Sequence, residues 1–303
     1  MSSNVVPRIR VREPDGSVLV REGLSITFYL RRSHTRILHQ VRSSLEAYLH
    51  AVGPHALGWY LDAEGEGQTL DTAGWARIWQ DLAHPEGAVI RLRDAATECG
   101  YRFEYYGKPI EAPPDANAPG EVCMASFWLP TEYLEAQGPS QVRELAVRLA
   151  EPLPFCSGHA GLSFNGEPEL VGALSHVAKH CFRYPGIDIP GSSSLSWELG
   201  TRVRGPHWLT FLGQPVLTEL GGAEALRARL HSPDTTVREL PGQRVVLTLG
   251  EWPQAGDTER ADTLPAYREL ARILEPWLYR EAHGGDSALP PSDRFRWERR
   301  FLD

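Results

Sequence analysis

Three groups of residues in this 303-residue chain have types and spacings that could do chemistry. Cys156 and His159, in FCSGHAG, put a thiol near an imidazole, the minimum for a nucleophile activated by a base. Spacing alone does not pair them, and the sequence identifies no third group to orient the ring, so a small buried thiol and a turn histidine are the simpler expectation. His176 and His180, with Cys181 beside them, share one face if the segment is helical, as in zinc-binding helices. The intervening Val-Ala-Lys lacks the glutamate of HExxH, and a distant residue such as Asp188 or His159 would have to complete a ligand set. Without one, His180 serves the C-terminal end of its helix.

The third group is Asp62, Glu64, Glu66 and Asp71, in DAEGEGQTLD. The acids alternate as in a calcium loop, but the bidentate glutamate at the twelfth place is missing. They read as a solvated turn whose carboxylates could pair with arginines or lysines of a partner. The chain has no GxSxG, no P-loop and no GxGxxG after a strand. The expectation is therefore a protein without catalytic residues, metal or cofactor. The alternative is a small-substrate enzyme using Cys156/His159 or His176/His180.

Charge narrows the partners. The net charge is −8, but residues 61–170 carry 7 basic and 18 acidic side chains, whereas residues 1–60 carry 8 basic and 4 acidic. A segment of one sign speeds encounter with a partner of the other and repels phosphates, which disfavours direct nucleic-acid binding. Among nine tryptophans, Trp75 and Trp79 lie one helical turn apart beside the acidic turn and are the pair expected to anchor a partner. The opening residues lack a secretory h-region and no stretch has the length of a membrane span, so a cytoplasmic protein without membrane contact is expected. The four cysteines lie far apart, which suggests reduced, buried thiols.

The elements that must position these residues follow from periodicity. RIRVRE, PDGS and VLVREGLSITFYL predict a β-hairpin, residues 34–51 a helix stopped by Gly53-Pro54, and GWYLD a strand. TLDTAGWARIWQDL predicts a helix starting at Asp71 or Thr72, followed by strands in AVIRLRDA and YRFEYYG and a loop at 111–121. Strand, helix and returning strand then recur as VCMASFWL, residues 141–150 and GHAGLSFN, and a third time as HWLTFLG, residues 223–230 and QRVVLTLGEW. Repeated strand-helix-strand units predict an α+β fold, with helices covering one face of a mixed or antiparallel sheet. Residues 1–110 form a first α+β part, 122–283 a second part of one domain, with a helix over 264–279, and 284–303 a basic, aromatic tail that docks back.

GHAGLSFN at 158–165, YPGIDIP at 184–190 and GPHWLTFLG at 205–213 resemble the central motifs of the type VI secretion immunity family associated with VRR-Nuc effectors. The likeness spans most of the chain. Its motifs are glycines, prolines and aromatics suited to turns and packing, so no functional residue is carried over. The resemblance implies an antitoxin that binds a cognate effector toxin, plausibly a nuclease encoded by the adjacent gene, and occludes its active site; a non-inhibitory effector adaptor is a further alternative.

Overall fold

In the computed structural model, which describes residues 6–96, 98–110, 119–166, 172–191, 193–280 and 289–303, the PDGS turn folds β1 (Arg10–Arg12) back onto β2 (Val18–Leu30) as an antiparallel hairpin. Helix α1 (His34–Val52) stops at Gly53, whose positive φ of 97° suits glycine and whose N–H donates to the Leu49 carbonyl. The hairpin of β3 (Leu57–Leu61) and β4 (Gly67–Thr69) leads to α2 (Thr72–Leu82), then to β5 (Ala88–Asp94) and β6 (Arg102–Gly107). The first half ends there.

Next come β7 (Cys123–Pro130) and α3 (Thr131–Ala150). Helix α3 begins ten residues earlier than its periodicity suggests, because Gly138, with φ 77°, and Pro139 break the pattern between two helical segments. Then follow β8 (Ser157–Gly166), α4 (Ala173–Cys181), α5 (Leu195–Glu198), β9 (Leu209–Leu212), α6 (Val216–Glu219) and α7 (Gly222–Arg229). The chain continues through β10 (Thr235–Leu240), β11 (Arg244–Leu249), α8 (Pro265–Leu274) and α9 (Pro291–Glu298). Residues 111–118 of the expected loop, and 281–288 before the tail, lie outside the described residues.

Among the described residues, eleven strands join one sheet in the order β10-β11-β9-β8-β2-β7-β6-β5-β3-β4, with β1 added beside β2. Every ladder is antiparallel, so the fold is α+β. The strand-helix-strand order recurs as β2-α1-β3 and β7-α3-β8, but the returns differ: β8 pairs with β2 at the centre, while β3 joins the far end through β5. Asn165, fully buried on β8, reinforces the centre by donating to the carbonyls of Leu24 and Leu129 at 3.4 Å.

Helices cover both faces of this sheet rather than the single face expected. Leu24, Ile26, Phe28, Phe127 and Leu162 share a core with Ile37, Val41 and Leu45 of α1 and Leu134, Val142 and Leu145 of α3. On β11, Val246 belongs to that core, whereas its neighbours Val245 and Leu247 pack with Leu226 of α7 and with Tyr267, Leu270 and Leu274 of α8. Alternation along one strand thus feeds two cores, which is why this strand reads as a continuous apolar run.

The first core is tight at Gly158, which opposes Phe28. A Cβ there would sit 2.6 Å from a Phe28 ring carbon and 2.8 Å from the Thr27 carbonyl oxygen, and the backbone oxygen cannot rotate away. Gly158→Ala is expected to destabilise the protein by about 2 kcal/mol, read as a lower urea midpoint with unchanged slope; an unchanged midpoint would contradict this packing.

Candidate functional site

The three glycine- and proline-rich motifs each deliver one titratable side chain to the same buried point. His159 lies on β8 opposite Thr27 of β2 and Thr210 of β9. Asp188 follows α4, where the chain runs parallel to β8: its N–H donates to the Leu162 carbonyl at 2.8 Å, and its own carbonyl accepts from Phe164 at 2.9 Å. His207 precedes β9, its backbone N–H donating to Thr210 Oγ1 at 3.0 Å. Its ring Nδ1 stands 3.0 Å from the Gly205 carbonyl, which can only accept, so Nδ1 is the donor and Nε2 faces Asp188.

The resulting cluster is dense. The two imidazoles stack with centroids 4.1 Å apart and planes 19° from parallel. Asp188 Oδ2 lies 3.2 Å from His207 Nε2 and 3.8 Å from His159 Nε2, and Arg300 Nη2 holds Oδ1 at 3.2 Å. Arg300 also donates to the carbonyls of Pro185 and Trp297 and stacks its guanidinium on the Trp297 ring, 3.8 Å from the centroid. Burial pushes the Asp188 carboxyl up, but the neighbouring His207, Arg204 and Arg300 outweigh it and hold the group far below the usual carboxylate range. His159 is driven well below its ordinary value by burial first and His207 second, against the pull of Asp188.

At 3%, 1% and 3% exposure, His159, Asp188 and His207 are sealed from any macromolecular substrate. The arrangement fastens β8, the YPGIDIP segment, the start of β9 and the Arg300 region to one another. The TsiV family profile, described as type VI immunity for VRR-NUC, matches residues 40–301, which contain all three motifs. The chain belongs to the TsiV family. Among solved structures it is similar to the Pseudomonas aeruginosa T6SS protein PA0821, at 21% identity and a TM-score of 0.77, covering 99% of this chain and 88% of that one. That likeness shows the shared fold. No curated protein matches. Type VI immunity is accordingly the role of this TsiV protein, and no helix among its described residues is long and apolar enough to cross a membrane.

The other candidate residues lie outside this cluster or do not pair within it. In the TsiV chain Cys156 lies in the bend before β8, whereas the His159 ring, on β8, is stacked on His207. The Cys156 thiol is buried and pushed up by that burial, the reverse of an activated nucleophile. His176 and His180 lie half-buried on α4; the one group of three metal-ligating side chains among the described residues is His159, Asp188 and His207, without them.

The acidic turn divides by role. Asp62 Oδ1 accepts from the backbone N–H groups of Glu64 and Glu66 at 3.1 and 2.8 Å, and Asp71 caps α2 by accepting from Ala73 and Gly74. Glu64 and Glu66 are exposed. Trp75 and Trp79 stack at 5.5 Å, Arg42 lies over Trp79 at 4.7 Å, and both rings are half-buried against the core. The exposed tryptophans are Trp59 and Trp197, at 38% and 56%.

Sequence reasoning missed His207 and Arg300 and treated Asp188 only as a distant partner for α4. A signal was present: GHAGLSFN and YPGIDIP each contain one residue able to be charged near neutral pH, and GPHWLTFLG contains His207 alone.

Arg300→Ala leaves a buried carboxylate with one fewer cationic partner and is expected to cost about 3 kcal/mol, measured by urea denaturation, with Arg300→Lys recovering part. Below about pH 6.5 the unfolded chain protonates His159 while the folded site refuses the proton, so stability falls toward acid by about 1.4 kcal/mol per pH unit. Asp188 acts in the same direction lower down, its stabilisation being present above about pH 4 and lost as the pH drops below that. His159→Gln should flatten the slope between pH 5 and 6.5; an unaltered slope would show that another group carries it.

Proposed function

We propose that this TsiV protein acts in the cytoplasm by binding a VRR-NUC-type nuclease effector and covering its catalytic cleft, transforming nothing itself. The observation that carries the reading is the family match over residues 40–301. A nuclease cleft is lined with positive potential for phosphates, and the excess of 18 acidic over 7 basic side chains in residues 61–170 is of the complementary sign. The burial of His159, Asp188 and His207 supports binding over catalysis, since the densest polar cluster has no opening to solvent.

The contact surface we assign is the acidic turn and α2: Asp62, Glu64, Glu66, Asp71, Trp75 and Trp79. Within it, Asp62 and Asp71 act by holding the backbone that presents Glu64 and Glu66, and Trp75 with Trp79 provides an aromatic ledge beside them. The partner is the product of the adjacent gene.

Co-expression should abolish the toxicity of that nuclease, and the two proteins should co-purify as a complex; the absence of a complex at micromolar concentration would overturn the reading. Because neither glutamate supports local structure, Glu64→Lys with Glu66→Lys should leave thermal stability intact while slowing association roughly tenfold at low salt, an effect that shrinks as salt rises. Stopped-flow association rates measure this, and an unchanged rate would move the interface elsewhere.

A further inference from the structure

Asp188 Oδ2 and His207 Nε2 are buried, lie 3.2 Å apart, and are not aligned for a hydrogen bond to each other; neither has another hydrogen-bond partner among the described residues. Buried polar groups are nearly always satisfied, so two adjacent orphans ask for an occupant. His159 Nε2 stands 3.8 Å from the same oxygen, and the three residues offer ligand atoms all within 4.8 Å of one another. We propose that His159, Asp188 and His207 bind a divalent first-row transition-metal ion that fastens the three motif segments together.

The donor set is two imidazoles and one carboxylate, which suits zinc, cobalt, nickel or iron(II). With ligand bonds of about 2.1 Å, the 3.2 Å separation corresponds to an angle of about 100° at the ion, and the 3.8 Å separation to about 130°; the two imidazole planes, stacked 19° from parallel, must swing apart on binding for both in-plane Nε2 lone pairs to meet the ion. The surroundings supply what such ligands need. The Gly205 carbonyl accepts from His207 Nδ1–H, so Nε2 is the nitrogen that gives up its proton to ligate the ion. Arg300 occupies Asp188 Oδ1, leaving Oδ2 as a single donor. The guanidiniums of Arg204 and Arg300 disfavour ions held by charge alone, so calcium and magnesium are excluded in favour of ions that bond well to neutral imidazole. Tyr29, its ring centroid 5.9 Å from that of His159, is buried beside the cluster with its hydroxyl also without a partner.

The test uses the full chain. The purified protein is stripped with chelator, titrated with Co2+ and Zn2+ separately, and analysed for metal content. One equivalent of Co2+ with visible d–d absorption, together with an upward Tm shift of roughly 5 °C at a hundredfold excess of Zn2+ over its Kd, is expected. Both signals should vanish in His207→Gln and persist in the His176→Ala, His180→Ala double variant, which separates this site from adventitious binding on α4. Absence of Co2+ absorption in the wild-type chain overturns the proposal whether or not the variants fold, as does binding that survives in His207→Gln or is lost in the α4 variant. Its failure would leave nuclease inhibition untouched, because that is read from toxicity and complex formation.

Discussion

A carboxylate removed from water must be met by cationic groups or hydrogen-bond donors, and Asp188 imposes that requirement on the whole second half of the chain. Its backbone is zipped to β8, so the carboxyl cannot move away from the sheet; the neighbours must come to it. The GPH segment brings His207, β8 brings His159 and the residues after α9 bring Arg300. Such a cluster adds little net stability compared with an apolar core of the same volume, because desolvation offsets attraction. What it does is discriminate: any docking of the Arg300 segment that misses Asp188 leaves buried charge uncompensated, a penalty of several kcal/mol.

The sheet supplies the rigidity this needs. The antiparallel sheet of the described residues, clad on two sides by separate cores, leaves β8 and β9 little freedom, and the bond from the His207 N–H to Thr210 Oγ1 ties His207 to the strand residue that faces His159. The contact surface we propose, at the β3–β4 end, would gain from the same stiffness. Asp62 and Asp71 lock the turn on either side of Glu64 and Glu66, so little conformational entropy remains to be lost when a partner binds there.

Elements whose pattern is local were legible in the sequence. The PDGS hairpin, the stop at Gly53 and the cap at Asp71 all follow from turn and helix-end chemistry, and each stands where it was expected. The α+β class followed from recurring strand-helix-strand order. Two features depended on distant neighbours and were not legible. Strand β11 feeds cores on both faces, and periodicity cannot say which element covers which side. The site was hidden for a similar reason: Asp188 and Arg300 are over a hundred positions apart and meet only in the folded chain, as Asp188 meets β8. In the motifs the glycines and prolines drew attention to backbone shape, while His159 and Asp188 were weighed against Cys156 and α4 and not against each other, and His207 was not weighed at all. Cys156 is a buried thiol, the simpler of the two readings its sequence offered.

The central position of β2 has a temporal side. Leu24 sits between Leu129 and Leu162, so the innermost strand emerges from the ribosome over a hundred residues before either neighbour. At bacterial elongation speeds that interval is on the order of 10 s. Until it closes, β2 waits without its two central partners, and assembly of the middle of the sheet is a long-range, slow event. A cell relying on this molecule for protection must therefore hold a finished stock in advance, because newly started chains contribute nothing during the delay.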